Sequence, residues 1–303
     1  MAMIGGNDGR SRRFGGGGIR WWVLILFAGY AAWSWFGSAK TDPYTGGKAH
    51  YGASVDQEAQ LGLQAFQQVL SEEHPVDPAD PRAKAIEAVA RRLVARAADV
   101  EADLAKEHGV ESPALARTFE WNVAVLDSEQ ANAFCLPGGK MAVYTGLIPV
   151  TQNDNAMAVV MGHEIAHALL RHGSQRMAQQ KLVQVGQMAA GVAVGGMDPQ
   201  QQQMLMAVFG AGAQYGVVLP YGRKHETQAD EVGLMLAAAA CYDPREAIPL
   251  WQRMAELDGG QRPPEFASTH PDPANRMQRL GELMPRAMGY YTKYCGATPL
   301  AAR

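Results

Sequence analysis

The sequence predicts an α+β protein, mostly α, with a small β-sheet and an apolar N-terminal segment ahead of the folded unit. Three observations lead there. Long stretches carry apolar residues three and four apart, the spacing of amphipathic helices. A short central stretch switches to strict alternation, the period of a strand. Residues 21–39 carry no charge at all.

That uncharged stretch, "WWVLILFAGYAAWSWFGSA", follows a basic head containing Arg10, Arg12, Arg13 and Arg20. As a helix it would extend roughly 28 Å, close to the hydrocarbon thickness of a bilayer. Trp21 and Trp22 sit at one end and Trp33 and Trp35 near the other, as in the aromatic belts of membrane interfaces. Residues 1–20 then read as a cytoplasmic basic segment and 21–39 as a transmembrane signal anchor or a signal peptide cleaved near Ala39. Both readings send the rest of the chain across the membrane. Residues 40–53, mixing glycine, proline and polar side chains, read as a linker.

One globular unit is expected over 54–290, with 291–303 as a tail. Ser54 and Gln57 form a capping-box pattern, followed by Leu61, Ala65, Phe66, Val69 and Leu70 on one helical face. Asp80 and Pro81 suit the N-cap and first position of a second helix, whose stripe is Ile86, Val89, Leu93, Ala97, Val100 and Leu104. Alternation of Phe119, Trp121, Val123 and Val125 marks one strand, and Met141, Val143 and Thr145 alternate with Ala142 and Tyr144 in another. Pro137-Gly138-Gly139 before the second strand suggests a hairpin.

The stretch "VVMGHEIAHALLRHG" raises the chemical question. His163 and His167 are four apart, so one helical face carries both, with Glu164 beside the first. This HExxH pattern suits two imidazoles on Zn²⁺ and a glutamate serving as general base toward water. Asn153 or Asp154 can cap the helix, and Gly173 is placed to end it. His172 lies five residues past His167, about 140° further round, and is read as a C-terminal-turn histidine off the metal. A catalytic zinc needs a third protein ligand. Downstream, Glu226 and Asp230 are four apart on an expected helix, so one could reach the metal while the other orients a histidine from behind. Asp230 leads straight into the apolar run Val232–Ala240, where an unpaired carboxylate would be costly.

Composition narrows the alternatives. A net charge of −3 in 303 residues gives no basis for nucleic-acid binding. The three cysteines, Cys135, Cys241 and Cys295, contain no CxxC, which leaves no cysteine metal site but allows one bridge, such as Cys241 to Cys295. The apolar runs between His167 and Glu226 read mainly as a core helical hairpin, with a membrane-dipping hairpin or a lid as the other readings.

Together, "NAFCLPGGKMAVYTGL", "MGHEIAHALLRHG", "LPYGRKHETQADEVG", "DPREAIPLWQRM" and "STHPDPANRMQRL" resemble the gluzincin metallopeptidases of the HtpX and CAAX-prenyl-protease type. The resemblance covers about residues 54–290 and is nearest to the soluble-domain branch that includes bacterial periplasmic BepA and LoiP and the mitochondrial Oma-type proteases. It implies a zincin-like domain binding one Zn²⁺ through His163, His167 and Glu226, with Glu164 as base and Asp230 behind a ligand. It further implies substrate-site roles for His270 and Arg276, which could stabilise an oxyanion; Tyr221 is a competing donor. Gln228 and Cys135 depart from the residues common in the family, away from the metal set.

An extended polypeptide would add to the strand Met141–Thr145, so Met141, Ala142, Val143, Tyr144 and Thr145 are the expected substrate-binding residues. The implied activity is endopeptidase cleavage of misfolded or misassembled envelope proteins, with extended or unfolded polypeptides as partners and a membrane reached through the N-terminal helix. The implied location is a bacterial inner membrane with the catalytic domain in the periplasm, or the soluble periplasm after cleavage. The rival readings are a chaperone or assembly factor for outer-membrane proteins with secondary protease activity, and a non-peptidase zinc hydrolase. The sequence leaves the oligomeric state open.

Overall fold

The computed structural model describes residues 20–213, 218–258, 266, 270 and 273–296. The arginines at 10, 12 and 13, the side chain of Tyr221 and the tail beyond 296 lie outside the described residues. Helix α1 (Trp21–Gly37) leads into a two-stranded hairpin, β1 (Lys40–Thr41) and β2 (Lys48–Ala49). Helices α2 (Val55–Glu72), α3 (Pro81–Glu107) and the short α4 (Leu115–Thr118) follow. Next come β3 (Asn122–Leu126), β4 (Ala133–Leu136) and β5 (Lys140–Tyr144), then α5 (Ile148–Thr151) and α6 (Asp154–Leu169). The remaining helices are α7 (His172–Val194), α8 (Pro199–Ala213), α9 (Leu219–Ala239), α10 (Ala247–Asp258) and α11 (Pro273–Cys295).

Local signals explain where the helices start. Ser54 and Gln57 close a full capping box on α2, Asp80 caps α3 ahead of Pro81, and the Asn153 side chain accepts from Ala156 N–H to cap α6. The α3 stripe is buried as its spacing requires. On α2 the expected Phe66, Val69 and Leu70 do pack inward, but Leu61 and Ala65 are exposed and Glu58 and Gly62 are buried instead, so the face is rotated in the first half of the helix. Two contacts fix that face: the Arg171 guanidinium pairs with the Glu58 carboxylate at 2.5 Å, and Gly62 lies against the Pro137 backbone, where a Cβ would stand 2.1 Å from the carbonyl oxygen; apolar periodicity reveals neither.

The sheet order is β3-β5-β4, with β3 parallel and β4 antiparallel to β5. This corrects the substrate-strand assignment. Met141, Ala142, Val143 and Tyr144 lie on the central strand with hydrogen-bonding neighbours on both sides, and Thr145 is already in the following 3₁₀ turn. No further strand can add there. Both β3 and β4 are edge strands: residues 74–76 bridge the outer side of β3 through Val76 N–H to the Val125 carbonyl, while β4 packs against α6.

Residues 40–53 are more than a linker: Asp42, Tyr44 and Ala49 are buried, and Gly52 N–H donates to Ser174 C=O at the start of α7. Cys241 and Cys295 are bridged, with 5.7 Å between their Cα atoms, fastening the end of α9 to the end of α11. Helix α1 is apolar but only 17 residues long, and among the described residues no helix is long and apolar enough to cross a membrane. Helices α7 and α8 form the hairpin between the two halves of the motif, yet α8 buries none of its residues. It is not a core hairpin.

Helix α6 is buried along nearly its whole length, between α9, α3 and β4. Its crossing with α9 depends on two glycines. A Cβ on Gly233 would stand 2.6 Å from His163 N and 2.7 Å from His163 Cα; one on Gly162 would stand 2.8 Å from Gly233 O. The opposing atoms are backbone, so neither helix can yield without moving as a whole. We expect Gly233→Ala to destabilise the protein by about 1–3 kcal/mol through overpacking. Zinc content should fall with it, because α9 carries Glu226. Thermal melts with metal analysis check this, and wild-type values for both would refute the role given to the crossing.

Candidate metal centre

Helix α6 presents His163 and His167 on one face, and α9 brings Glu226 and Asp230 against them. His163 Nε2 lies 3.0 Å from His167 Nε2 and 3.4 Å from Glu226 Oε2; His167 Nε2 lies 3.5 Å from Glu226 Oε1. His270 completes the cluster, its Nδ1 2.9 Å from Glu226 Oε2 and 3.3 Å from His163 Nε2. Among the described residues, these four offer donor atoms within 4.8 Å of one another, a set able to hold one metal ion. Tetrahedral zinc with bonds of roughly 2.0–2.1 Å separates its donors by roughly 3.3 Å, so the spacing fits that ion.

The surroundings orient these donors. Asp230 Oδ1 lies 3.0 Å from His163 Nδ1, which turns the opposite ring nitrogen toward the cluster. Arg276, only 1% exposed, donates through Nε and Nη2 to Asp230 Oδ1 and through Nη1 to the His270 carbonyl. Its guanidinium also stacks over Trp251 at 3.6 Å. With its donors so engaged, Arg276 braces the site from behind.

His172 is placed differently from the sequence reading. It opens α7 instead of closing α6, because Arg171 takes a left-handed conformation (φ 56°) that breaks the helix between them. The His172 ring is buried, with Nδ1 2.8 Å from His167 Nδ1, and it stacks on His225 at 4.1 Å. His172 thus does for His167 what Asp230 does for His163. Neither His172 nor His225 was assigned a place at the site by spacing, since the link runs through a helix break and a second helix. Trp251 and Phe266 were missed for the same reason: Phe266 flanks His163 and His270 from a distant part of the chain. The one available signal was the density of histidines at 163, 167, 172 and 225.

Glu164 is buried, and its Oε1 has no hydrogen-bond partner among the described residues, although His270 Nε2 is 3.4 Å away. Burial raises its pKa, countered in part by the nearby His270 and His163. Burial alone would also raise Glu226, but hydrogen bonds from His163 and His270 hold it far below the usual carboxylate range. Asp230 is likewise lowered against burial by the Arg276 charge and His163. Burial and the neighbouring His163 and His172 keep His167 neutral. For His163, burial is outweighed by hydrogen bonds to Asp230 and Glu226, which push its pKa up to about 9.

Metal-free His163 should therefore carry an extra ring proton at neutral pH. Zinc must displace it. We expect about one proton released per zinc bound near pH 7–8, falling away above about 9. Calorimetric titration of metal-free protein in buffers of different ionisation enthalpy measures this; enthalpies independent of buffer would refute it.

Comparison with known proteins agrees with this geometry. The model of peptidase family M48 matches residues 91–284. Mitochondrial metalloendopeptidase OMA1 of Schizosaccharomyces pombe is 30% identical over 281 residues, covering 92% of this chain and 74% of the relative. Human metalloendopeptidase OMA1, mitochondrial, is 34% identical over 188 residues, 60% of this chain and 36% of the relative. The beta-barrel assembly-enhancing protease of Escherichia coli is 26% identical over 274 residues, 87% of this chain and 52% of the relative. The alignment thus spans about a third to three quarters of each relative's length. With the family match covering most of the chain and a donor cluster fit for one zinc ion, the chain belongs to peptidase family M48 and is a zinc metalloendopeptidase.

Proposed function

We propose that His163, His167 and Glu226 hold the zinc, that Glu164 is the general base, and that Asp230 and Arg276 position the ligands. The observation that carries this reading is Glu164: a buried carboxylate directly beside the donor cluster, its Oε1 without a hydrogen bond among the described residues and 3.4 Å from His270 Nε2. A scaffold with a structural zinc would have no use for so costly a group. That favours a peptidase over the chaperone reading.

Zinc, when bound, supplies the Lewis acid that polarises a scissile carbonyl and acidifies water. Glu164 takes the proton of the attacking water and delivers it to the leaving amine. Burial, which raises the Glu164 pKa, suits it to carry that proton near neutral pH. Substrate main chain is best read along β4, the edge strand packed on α6. Phe266 N–H donates to the Ala131 carbonyl just before β4, a main-chain bond of the kind a substrate strand would make along the same edge. His270, wedged between Glu226 and Glu164, restrains the resting site and moves aside for substrate.

The substrates in this reading are misfolded or misassembled envelope polypeptides. The name of the Escherichia coli relative, a beta-barrel assembly-enhancing protease, supports that choice. Domain organisation and location belong to the same proposal. Residues 1–20 stay cytoplasmic, α1 anchors the chain, the peptidase domain lies in the periplasm, and 291–303 are a C-terminal tail.

Glu164→Gln should keep its zinc and lose casein cleavage by roughly a hundredfold to ten-thousandfold. Glu226→Ala should lose the zinc as well, and His270→Ala should raise basal cleavage. Metal analysis beside an unfolded-substrate assay separates the three; full zinc in the Glu226→Ala protein would remove that residue from the ligand set. For topology, a reporter fused after Tyr290 should behave as exported, and protection of the peptidase domain from protease in spheroplasts would overturn the orientation.

A further inference from the structure

Helix α1 does not stand alone. Its first turn is tied to the end of α7 by Arg20 N–H donating to the Ala193 carbonyl. Leu24, Phe27 and Ala28 of α1 face Leu182 and Val185 of α7 and Phe209 of α8 across an apolar cavity of about 520 Å³. Large apolar side chains are exposed on all three helices: Leu26, Trp33, Met188, Met204 and Val208 are each more than half exposed, with the uncharged Gln184 and Gln187 as the exposed polar side chains of α7 between Leu182 and Val194. For water-facing helices this is an unfavourable surface, and its contiguity over three elements exceeds the scattered apolar exposure of ordinary proteins.

Charge shows which solvent the surface fits. Between Leu182 and Gly222, Asp198 is the one charged residue, and it lies with Gln200–Gln203 at the α7–α8 turn. The Arg20–Ala193 bond puts the basic start of α1 beside that same turn. At the opposite end Lys181 donates to the Gly52 carbonyl, beside the point where α1 gives way to the β1–β2 hairpin. Polar groups therefore bracket an apolar belt from both ends. Along α7 from Leu182 to its end at Val194 the belt is roughly 18 Å tall, and α1 is roughly 25 Å long. A belt of this height with polar and basic rims suits embedding in part of the bilayer hydrocarbon, whose full depth is roughly 30 Å.

We propose that α1, α7 from Leu182 onward, and α8 form one unit embedded in the acyl chains of a phospholipid bilayer. The inference rests on the anchor reading of α1 and extends it to the hairpin inserted between the HExxH helix and Glu226. It also fixes where the metal centre stands. His172, bonded to His167, is roughly 15 Å along α7 from Leu182, and Glu226 is roughly 10 Å along α9 from Leu219. The zinc cluster is held within about that distance of the lipid.

The test uses the full chain with Val208→Cys carrying an environment-sensitive NBD label, beside separately labelled Leu26→Cys and Lys84→Cys proteins. Cys241 and Cys295 are bridged and Cys135 is buried, so the introduced thiol is the reactive one. Vesicles of phosphatidylcholine containing phosphatidylglycerol should blue-shift the label at 208 as strongly as that at 26, and brominated acyl chains should quench both. The label at 84, on an exposed part of α3, should not respond. A shift at 26 without one at 208 would overturn the proposal and leave the α1 anchor standing; no shift at either would remove both. A shift at 208 that appears without vesicles and disappears on dilution would assign the surface to a second copy of the chain and likewise overturn it.

Discussion

The close crossing of α6 and α9 is the constraint on which the rest of the molecule depends. HExxH supplies two ligands and a base, but Glu226 lies on another helix, and its carboxylate is short. It reaches the imidazoles only because Gly162 and Gly233 let the two backbones touch, with no room for a methyl group between them. The apolar run after Asp230 serves this contact: Val232, Leu234, Met235 and Leu236 bury α9 along the helix that carries the histidines. Packing and chemistry are thus one feature here.

Bringing so many ionisable groups together in a buried place is expensive unless each is paired. Asp230 faces His163 and Arg276, Arg276 lies on Trp251, and His172 backs His167. These contacts converge from α9, α10, α11 and α7, so the metal centre is held by most of the domain. The Cys241–Cys295 bridge secures the same arrangement, since α9 carries Glu226 and Asp230 while α11 carries Arg276. Glu164 is the exception. Among the described residues it makes no side-chain hydrogen bond and has only the His270 ring nearby, at 3.4 Å.

The N-terminal strap joins this centre to the apolar helices. Arg171, in the break between α6 and α7, binds Glu58 and the Ala53 carbonyl and lies over Tyr51. Thr45 accepts from Gln228 on α9. Both helices that bear ligands are therefore gripped by the segment that follows α1. A displacement of α1 relative to the domain would be felt at His172 and at α9 through direct contacts, with no long relay required.

The sequence by itself determined the parts whose cause is local. Caps at Ser54, Asp80 and Asn153, the α3 stripe, the alternating strands and the HExxH spacing all depend on residues within a turn or two of one another. Helical periodicity fixes such relations before any fold is known. Resemblance of several ordered segments then supplied the family. Tertiary structure alone decided that β5 is the central strand, because strand order follows from long-range pairing and β3 and β5 are parallel neighbours across a crossover. Likewise it decided that Arg171 breaks the helix, that His172 turns back onto His167, and that residues 40–53 pack as a strap. Each of these rests on a contact between residues far apart in the chain, and no periodicity encodes such a contact. The three apolar helices show the same division: their composition was plain from the residues, but that they share one exposed surface is a property of the fold.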